Sequence, residues 1–146
     1  KNFKLYIIGY GSEYSKILNQ IKKYKLQNEI KIFTKLRNPN HILKKAKLFV
    51  LSSRYEGFGN VLVEAGMNRI PIISSKCNHG PAEILGNGKF GDLFKVNDYK
   101  SLKSKIQNFI DKPKKLQTKS KLFFSSLHRF DTKKITKKFD SIFRNI

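Results

Sequence analysis

The chain has 146 residues, enough for a single core, and a formal net charge of +21 from 31 basic and 10 acidic side chains. Its one cysteine, Cys77, excludes a disulfide framework and a cysteine-based metal site, and no run of about 18 apolar residues offers a membrane-spanning helix. The charge excess is lysine, 26 residues against five arginines. Lysine is a generic solvated charge, whereas arginine is favoured for bidentate readout of nucleic acid. Drift in composition on a solvated surface accounts for the excess as well as a partner does. Among partners, an anionic membrane surface, at roughly 1 kcal/mol per basic residue, stands ahead of nucleic acid.

Apolar runs and helical patterns alternate along the chain. FKLYIIG (3–9) reads as a short strand ended by glycine. Ser12 is placed to cap a helix in which Ile17, Leu18, Ile21 and Tyr24 recur at helical spacing. IKIFT (30–34) is a second strand, followed by a short helix over about residues 40–46 after Pro39. LFVLSS (48–53) is a third strand, apolar through its centre as in a parallel sheet covered on both faces. A helix is expected over residues 60–68, and IPIISS (70–75) is a fourth strand whose Pro71 suits a strand start. GPAEIL opens a short helix with proline in its first turn, and GDLF (91–94) is a brief fifth strand.

Only helical patterns follow. Leu102, Ile106, Phe109 and Ile110 form one stripe, and Leu116, Phe123, Phe124 and Leu127 another. Ile135, Phe139, Ile142, Phe143 and Ile146 form a third, with Asp131 placed as its N-cap. The tail from Lys95 carries 15 basic and four acidic residues among phenylalanines. Those aromatics fall on helical stripes, so core packing accounts for them better than base stacking does. The alternation predicts an α/β fold, a doubly wound parallel sheet with a helical tail, in a single domain over residues 1–146.

The chemistry concentrates in SSRYEGFGNVLVEAG (52–66), where seven residues separate Glu56 from Glu64. Ligands of open parallel sheets bind outside the carboxyl ends of the strands, and this loop lies at such an end. Gly57 and Gly59 let the backbone turn and approach a ligand. The helix starting near Asn60 presents free N–H groups and a positive dipole end, a site for phosphate or diphosphate. Carboxylates accept from vicinal hydroxyls, so acids on either side of a diphosphate fit the two polyols of a nucleotide sugar. The plainer alternative leaves Glu64 solvated and pairs Glu56 with Arg54; the glycines, the strand end and the helix start weigh against it.

Other motifs carry less. GYG (9–11) lacks the third glycine of a dinucleotide fingerprint, since Tyr14 occupies its place. There is no P-loop and no D-x-D pair, and His41, His79 and His128 have no metal-ligand spacing. His79 reads as a loop residue, and Glu83 as a first-turn acid that compensates a helix dipole.

EGFGNVLVE resembles the E-x7-E pattern of the family 4 glycosyltransferases, retaining enzymes of the GT-B fold. The stretch from Leu48 to Leu85 is similar to their donor-binding segment, and KLYIIGYGSE and VNDYKSLKSKIQNFI to flanking parts. The resemblance implies the Rossmann-like carboxy-terminal half of such an enzyme. It implies a fragment without the amino-terminal acceptor domain and without the first strand of this domain. Carried over, Glu56 is the catalytic residue, holding donor-sugar hydroxyls close to the anomeric carbon. Gly57, Phe58 and Gly59 line the sugar pocket with backbone groups, and Asn60, Val61 and Leu62 offer N–H groups to the diphosphate. Glu64 takes the ribose diol, and the base lies near Leu36 and Arg37.

The implied reaction moves a hexose from a nucleoside diphosphate to a glycan or lipid-linked acceptor hydroxyl, with retained configuration and no metal or other cofactor. The Asn60 form favours UDP over GDP. The implied partners are the UDP-sugar donor, the acceptor and an amino-terminal domain of the same chain, with no nucleic acid. The protein is expected in the cytoplasm, with an anionic membrane surface at the inner face as a further partner. Two departures stand out. The Arg and Lys that grip the diphosphate from a segment before IIGYG are missing, and Gly66, Met67, Asn68 and Arg69 replace a small-residue stretch, a change expected to be tolerable at a helix end but able to loosen packing. Two other readings are a noncatalytic nucleotide-binding module and a basic nucleic-acid-binding α/β domain. The isolated fragment is expected to bind donor weakly and turn over nothing.

Overall fold

Short apolar runs become strands and the amphipathic stretches between them become helices, in a computed structural model that describes residues 3–144, apart from the side chains of Lys138 and Phe139. The order is β1 (Leu5–Ile8), α1 (Tyr14–Lys23), β2 (Ile30–Phe33), α2 (Asn40–Leu43), β3 (Phe49–Leu51), α3 (Asn60–Met67) and β4 (Ile72–Ser75). There follow α4 (Pro81–Ile84), β5 (Asp92–Phe94), α5 (Tyr99–Asp111), α6 (Pro113–Ser126) and α7 (Thr132–Phe143). All described strand pairs are parallel, as the alternation predicts. They fall into two hydrogen-bonded sets, in two compact units of residues 1–42 and 43–146. Among the described residues no helix is long and apolar enough to cross a membrane.

In the first unit β1 pairs with β2, Leu5 opposite Ile30 and Ile8 opposite Phe33. Ile21 of α1 is buried. The expected cap is corrected: α1 starts at Tyr14 with Glu13, not Ser12, at its N-cap and no side-chain capping bond. Ser12 lies one residue too far out, and the Glu13 carboxylate instead takes the Lys16 ammonium at 3.0 Å.

In the second unit the order is β3-β4-β5, with Phe49 opposite Ile72 and Ile73 opposite Asp92. Strand side chains alternate between faces, so β4 serves two cores. Ile72 joins Leu62, Ala65, Ile84, Leu85 and Phe123. Ile73 joins Phe94 and Leu116, with Leu102, Ile106 and Phe109 packed around them. The strand covered on both faces is therefore β4, buried at all its positions, and not β3. β3 is an outer strand of this sheet, and its residues are only half-buried.

Helix α6 contributes to both cores, through Leu116 and Phe123. Its Lys119 is tied to the β5 end of the sheet, donating from Nζ to Asp92 Oδ1 at 2.6 Å and to the Gly88 carbonyl at 2.8 Å. Phe123 lies directly against α3 at Gly66, where a Cβ would sit 2.4 Å from Cε1 of the ring. Gly66 thus does the reverse of loosening the helix end: its missing side chain admits the ring. The tail phenylalanines pack as expected, Phe109, Phe123 and Phe130 in or against the cores, while Phe124 lies under the Arg69 guanidinium at 4.0 Å. Asp131 caps α7 as expected, accepting from Lys133 N at 2.8 Å. Ile135, Ile142 and Phe143 of the last stripe are exposed; Ile146 and the Phe139 side chain lie outside the described residues.

Gly66→Ala should cost roughly 1–3 kcal/mol, because overpacking a site walled by a buried ring forces backbone or rotamer shifts. Urea denaturation of the two proteins side by side measures this, with the midpoint expected to fall and the slope to stay.

Candidate functional site

The loops after β3 and β4 leave neighbouring parallel strands at the same end of the sheet, and the sequence places its candidate residues there. Residue 59 must turn the chain into α3, and Gly59 does so at φ +93°, a left-handed conformation that side chains resist. It occupies the N-cap with no side chain to offer, so nothing caps α3 from its own residues. Among the described residues the N–H groups of Asn60 and Val61 have no acceptor, as the first turn of a helix dictates. Leu62 is corrected. Its N–H already donates to the Gly59 carbonyl at 2.9 Å, and its side chain is wholly buried in the core.

Glu56 is held in place from below. Ser53 Oγ donates to Glu56 Oε1 at 2.6 Å, and Ser75 Oγ donates to the Ser53 carbonyl at 2.6 Å. Ser75 is the last residue of β4 and 1% exposed, so this relay anchors the carboxylate to the central strand. Oε2 of Glu56 has no partner among the described residues, and no ion pair with Arg54 forms. Glu64 is half-buried just over one turn into α3, and it too makes no ion pair among the described residues. The plainer pairing of Glu56 with Arg54 is therefore not what the chain adopts.

The loop tip is fixed by a backbone contact. Gly80, just before α4, adopts φ +73° and ψ −78°, and a Cβ on it would lie 2.0 Å from the Phe58 carbonyl oxygen. The Phe58 ring is 43% exposed and meets Phe130 edge to face, with centroids 5.8 Å apart. Gly57 is exposed, and a Cβ there would meet nothing within 4 Å. His79 is an exposed loop residue at φ +63°, and Glu83 stands in the first turn of α4. Burial holds the Arg129 guanidinium below its ordinary value, a shift that the Glu83 charge opposes.

Glu56, Gly57, Phe58, Gly59, Asn60, Val61 and Glu64 are thus gathered on one loop and helix start in the second unit. Arg37 belongs to the first unit, exposed on the loop after β2, with Leu36 half-buried beside it in sequence. The supports that sequence reading missed are Ser53, Ser75, Gly80 and Phe130. Two of these left a trace, the serine doublets that close LFVLSS and IPIISS. What the arrangement offers is an uncapped helix start for an anion, with carboxylates before and after it to accept from hydroxyls.

The model of the family described as glycosyl transferases group 1 matches residues 1–122. The chain belongs to that family. This group 1 glycosyl transferase chain is 34% identical over 101 residues to the amylovoran biosynthesis glycosyltransferase AmsD of Erwinia amylovora, covering 69% of this chain and 27% of that protein. It is 40% identical over 84 residues to an uncharacterized glycosyltransferase of Methanocaldococcus jannaschii, covering 58% and 21%. The chain spans less than a third of either relative. Among solved structures, that of Anabaena Alr3699/HepE in complex with UDP superposes with a TM-score of 0.86 at 23% identity, over 99% of this chain and 41% of that one. TarM superposes with a TM-score of 0.84 at 23% identity, over 96% and 28%. At that identity the likeness establishes the α/β fold.

The backbone contact at Gly80 gives a direct test. Gly80→Ala should cost more than about 2 kcal/mol, since it combines a strained positive φ with a clash against main chain. Gly57→Ala, with open space around it, should stay within about 0.5 kcal/mol. Both follow from urea midpoints, and equal midpoints would remove the contact's importance.

Proposed function

We propose that this chain is the donor site of a retaining, metal-independent hexosyltransferase that takes its sugar from UDP. The observation that supports this most is the uncapped start of α3, with free N–H groups at Asn60 and Val61, between a Glu56 anchored by Ser53 and a half-buried Glu64. In this reading the two N–H groups and the helix dipole hold the diphosphate. Glu56, with Oε2 uncommitted, accepts from hydroxyls of the sugar near its anomeric carbon. Glu64, just over one turn into α3, accepts from the ribose diol.

The chemistry follows from charge. As the bond between the anomeric carbon and the diphosphate oxygen breaks, negative charge grows on the leaving group. Fixed N–H donors already aimed at that position stabilise it without reorganising. Glu56 keeps the anomeric carbon at the right place and gives no charge to the leaving group. The open backbone at exposed Gly57 lets the sugar lie close to the loop.

The acceptor in this reading is a hydroxyl of a glycan or a lipid-linked saccharide, presented by an amino-terminal domain of the same chain. The lysine-rich surface rests on an anionic membrane, where each exposed lysine adds roughly 1 kcal/mol of attraction.

Titrating the labelled protein with UDP, GDP and ADP tests the donor reading. UDP should shift the amides of residues 57–64 most, and Glu64→Gln should weaken UDP roughly tenfold through loss of a charged hydrogen bond. In the intact enzyme, Glu56→Ala should lower transfer on the order of 100-fold, as misplacing the reacting centre does. Transfer unaffected by Glu56→Ala would sink the assignment.

A further inference from the structure

The loop carrying Glu56 has one more support, and it comes from the far end of the chain. We infer that Phe130, in the 3-10 turn between α6 and α7 (Leu127–Phe130), is a positioning residue for this loop, and that Arg129 holds it in place. The inference rests on the donor reading above for its functional meaning.

Phe130 reaches the loop directly. Its ring stands edge to face with Phe58, at 5.8 Å and 81°. Phe130 is also packed against the buried core cluster that includes Leu62, Ile84 and Phe123, so it links that core to the loop tip. Arg129 fastens the turn. Its guanidinium lies 4.5 Å from the Phe130 centroid and 5.0 Å from that of Phe90. Phe90 in turn stacks on Phe123 at 5.7 Å. Arg129 Nη2 donates to the carbonyl of Ile84, the last residue of α4.

These contacts close a circuit. The Phe58 carbonyl is pressed on Gly80, Gly80 leads into α4, and α4 ends at Ile84. Ile84 accepts from Arg129, Arg129 stacks on Phe130, and Phe130 meets the Phe58 ring. Phe58 is therefore held through its backbone on one side and its side chain on the other. Lifting the loop breaks one of the two. Asn60 and Val61 follow Phe58 by two and three residues, so their N–H directions move with it. The guanidinium supports the same view. Its Nε is buried with no acceptor among the described residues, an arrangement that costs stability. Simple core filling by an apolar side chain would avoid that cost.

The test uses the intact enzyme, with UDP affinity from calorimetry and hydrogen exchange followed by mass spectrometry. Phe130→Leu keeps an apolar side chain but loses the ring edge. It should weaken UDP by about 3- to 10-fold, the worth of one aromatic pair, and speed exchange in residues 55–62 while residues 5–33 keep their wild-type rates. Phe130→Tyr should restore both. Arg129→Lys, which cannot stack as a plane, should act like Phe130→Leu. Wild-type UDP affinity and exchange in Phe130→Leu would overturn the inference, and so would a loss accompanied by uniformly faster exchange across residues 43–130. If Phe130→Ala fails to fold, the leucine and tyrosine variants decide. A wild-type enzyme that binds no UDP would overturn the donor reading instead, and exchange of residues 55–62 in ligand-free Phe130→Leu would still judge the support.

Discussion

Two main chains meet at Gly80, and the rest of the site depends on that meeting. The Phe58 carbonyl comes so close to Gly80 that a Cβ has no room, and the positive φ there rules against other residues a second time. Loops at strand ends are ordinarily the mobile part of an α/β fold. Here two of them lock together by backbone, and the start of α3 is fixed with respect to the start of α4. The uncapped N–H groups of Asn60 and Val61 then point from a surface that does not need to be assembled when a ligand arrives. Such preorganisation lowers the ordering cost of binding.

The lock works because of what lies under it. β4 is buried on both faces, so the strand that carries Ser75 is the least yielding part of the second unit. From it the hydrogen bonds run outward, Ser75 to the Ser53 carbonyl and Ser53 to Glu56. An acidic side chain in a chain of charge +21 is surrounded by potential lysine partners. A neutral hydroxyl positions the carboxylate without cancelling its charge or occupying both oxygens. The packing of α6 on Gly66 and the tie from Lys119 to Asp92 hold the layer behind β4 at a fixed depth.

Much of this was legible in the sequence, and the exceptions have physical causes. The start of α3 at Asn60, Pro81 at the head of α4 and Asp131 as the cap of α7 all follow from local chemistry, and local chemistry is written in adjacent letters. Ser12 does not cap the helix because α1 begins one residue later than a Ser12 cap requires, a shift that composition does not encode. β3 looked like the covered strand, but coverage depends on strand order, and β4 took the middle of the three. The Leu62 N–H was counted as free because an i to i+3 bond back to Gly59 cannot be seen in a motif. Gly66 against Phe123, Gly80 against Phe58 and Phe130 against Phe58 each join residues far apart in the chain. Only the folded path brings them together.

The groups that face outward at the start of α3 have a consequence for how this chain tolerates genetic change. An N–H belongs to every residue type except proline, so the donors at positions 60 and 61 survive nearly any substitution in place. What a missense change can destroy is the path that aims them, and that path is written in Gly59 and Gly80. Inheritance at this point protects a shape more than a set of side chains. Side chains around the loop are then free to vary, while the main-chain donors pass unchanged from one variant to the next.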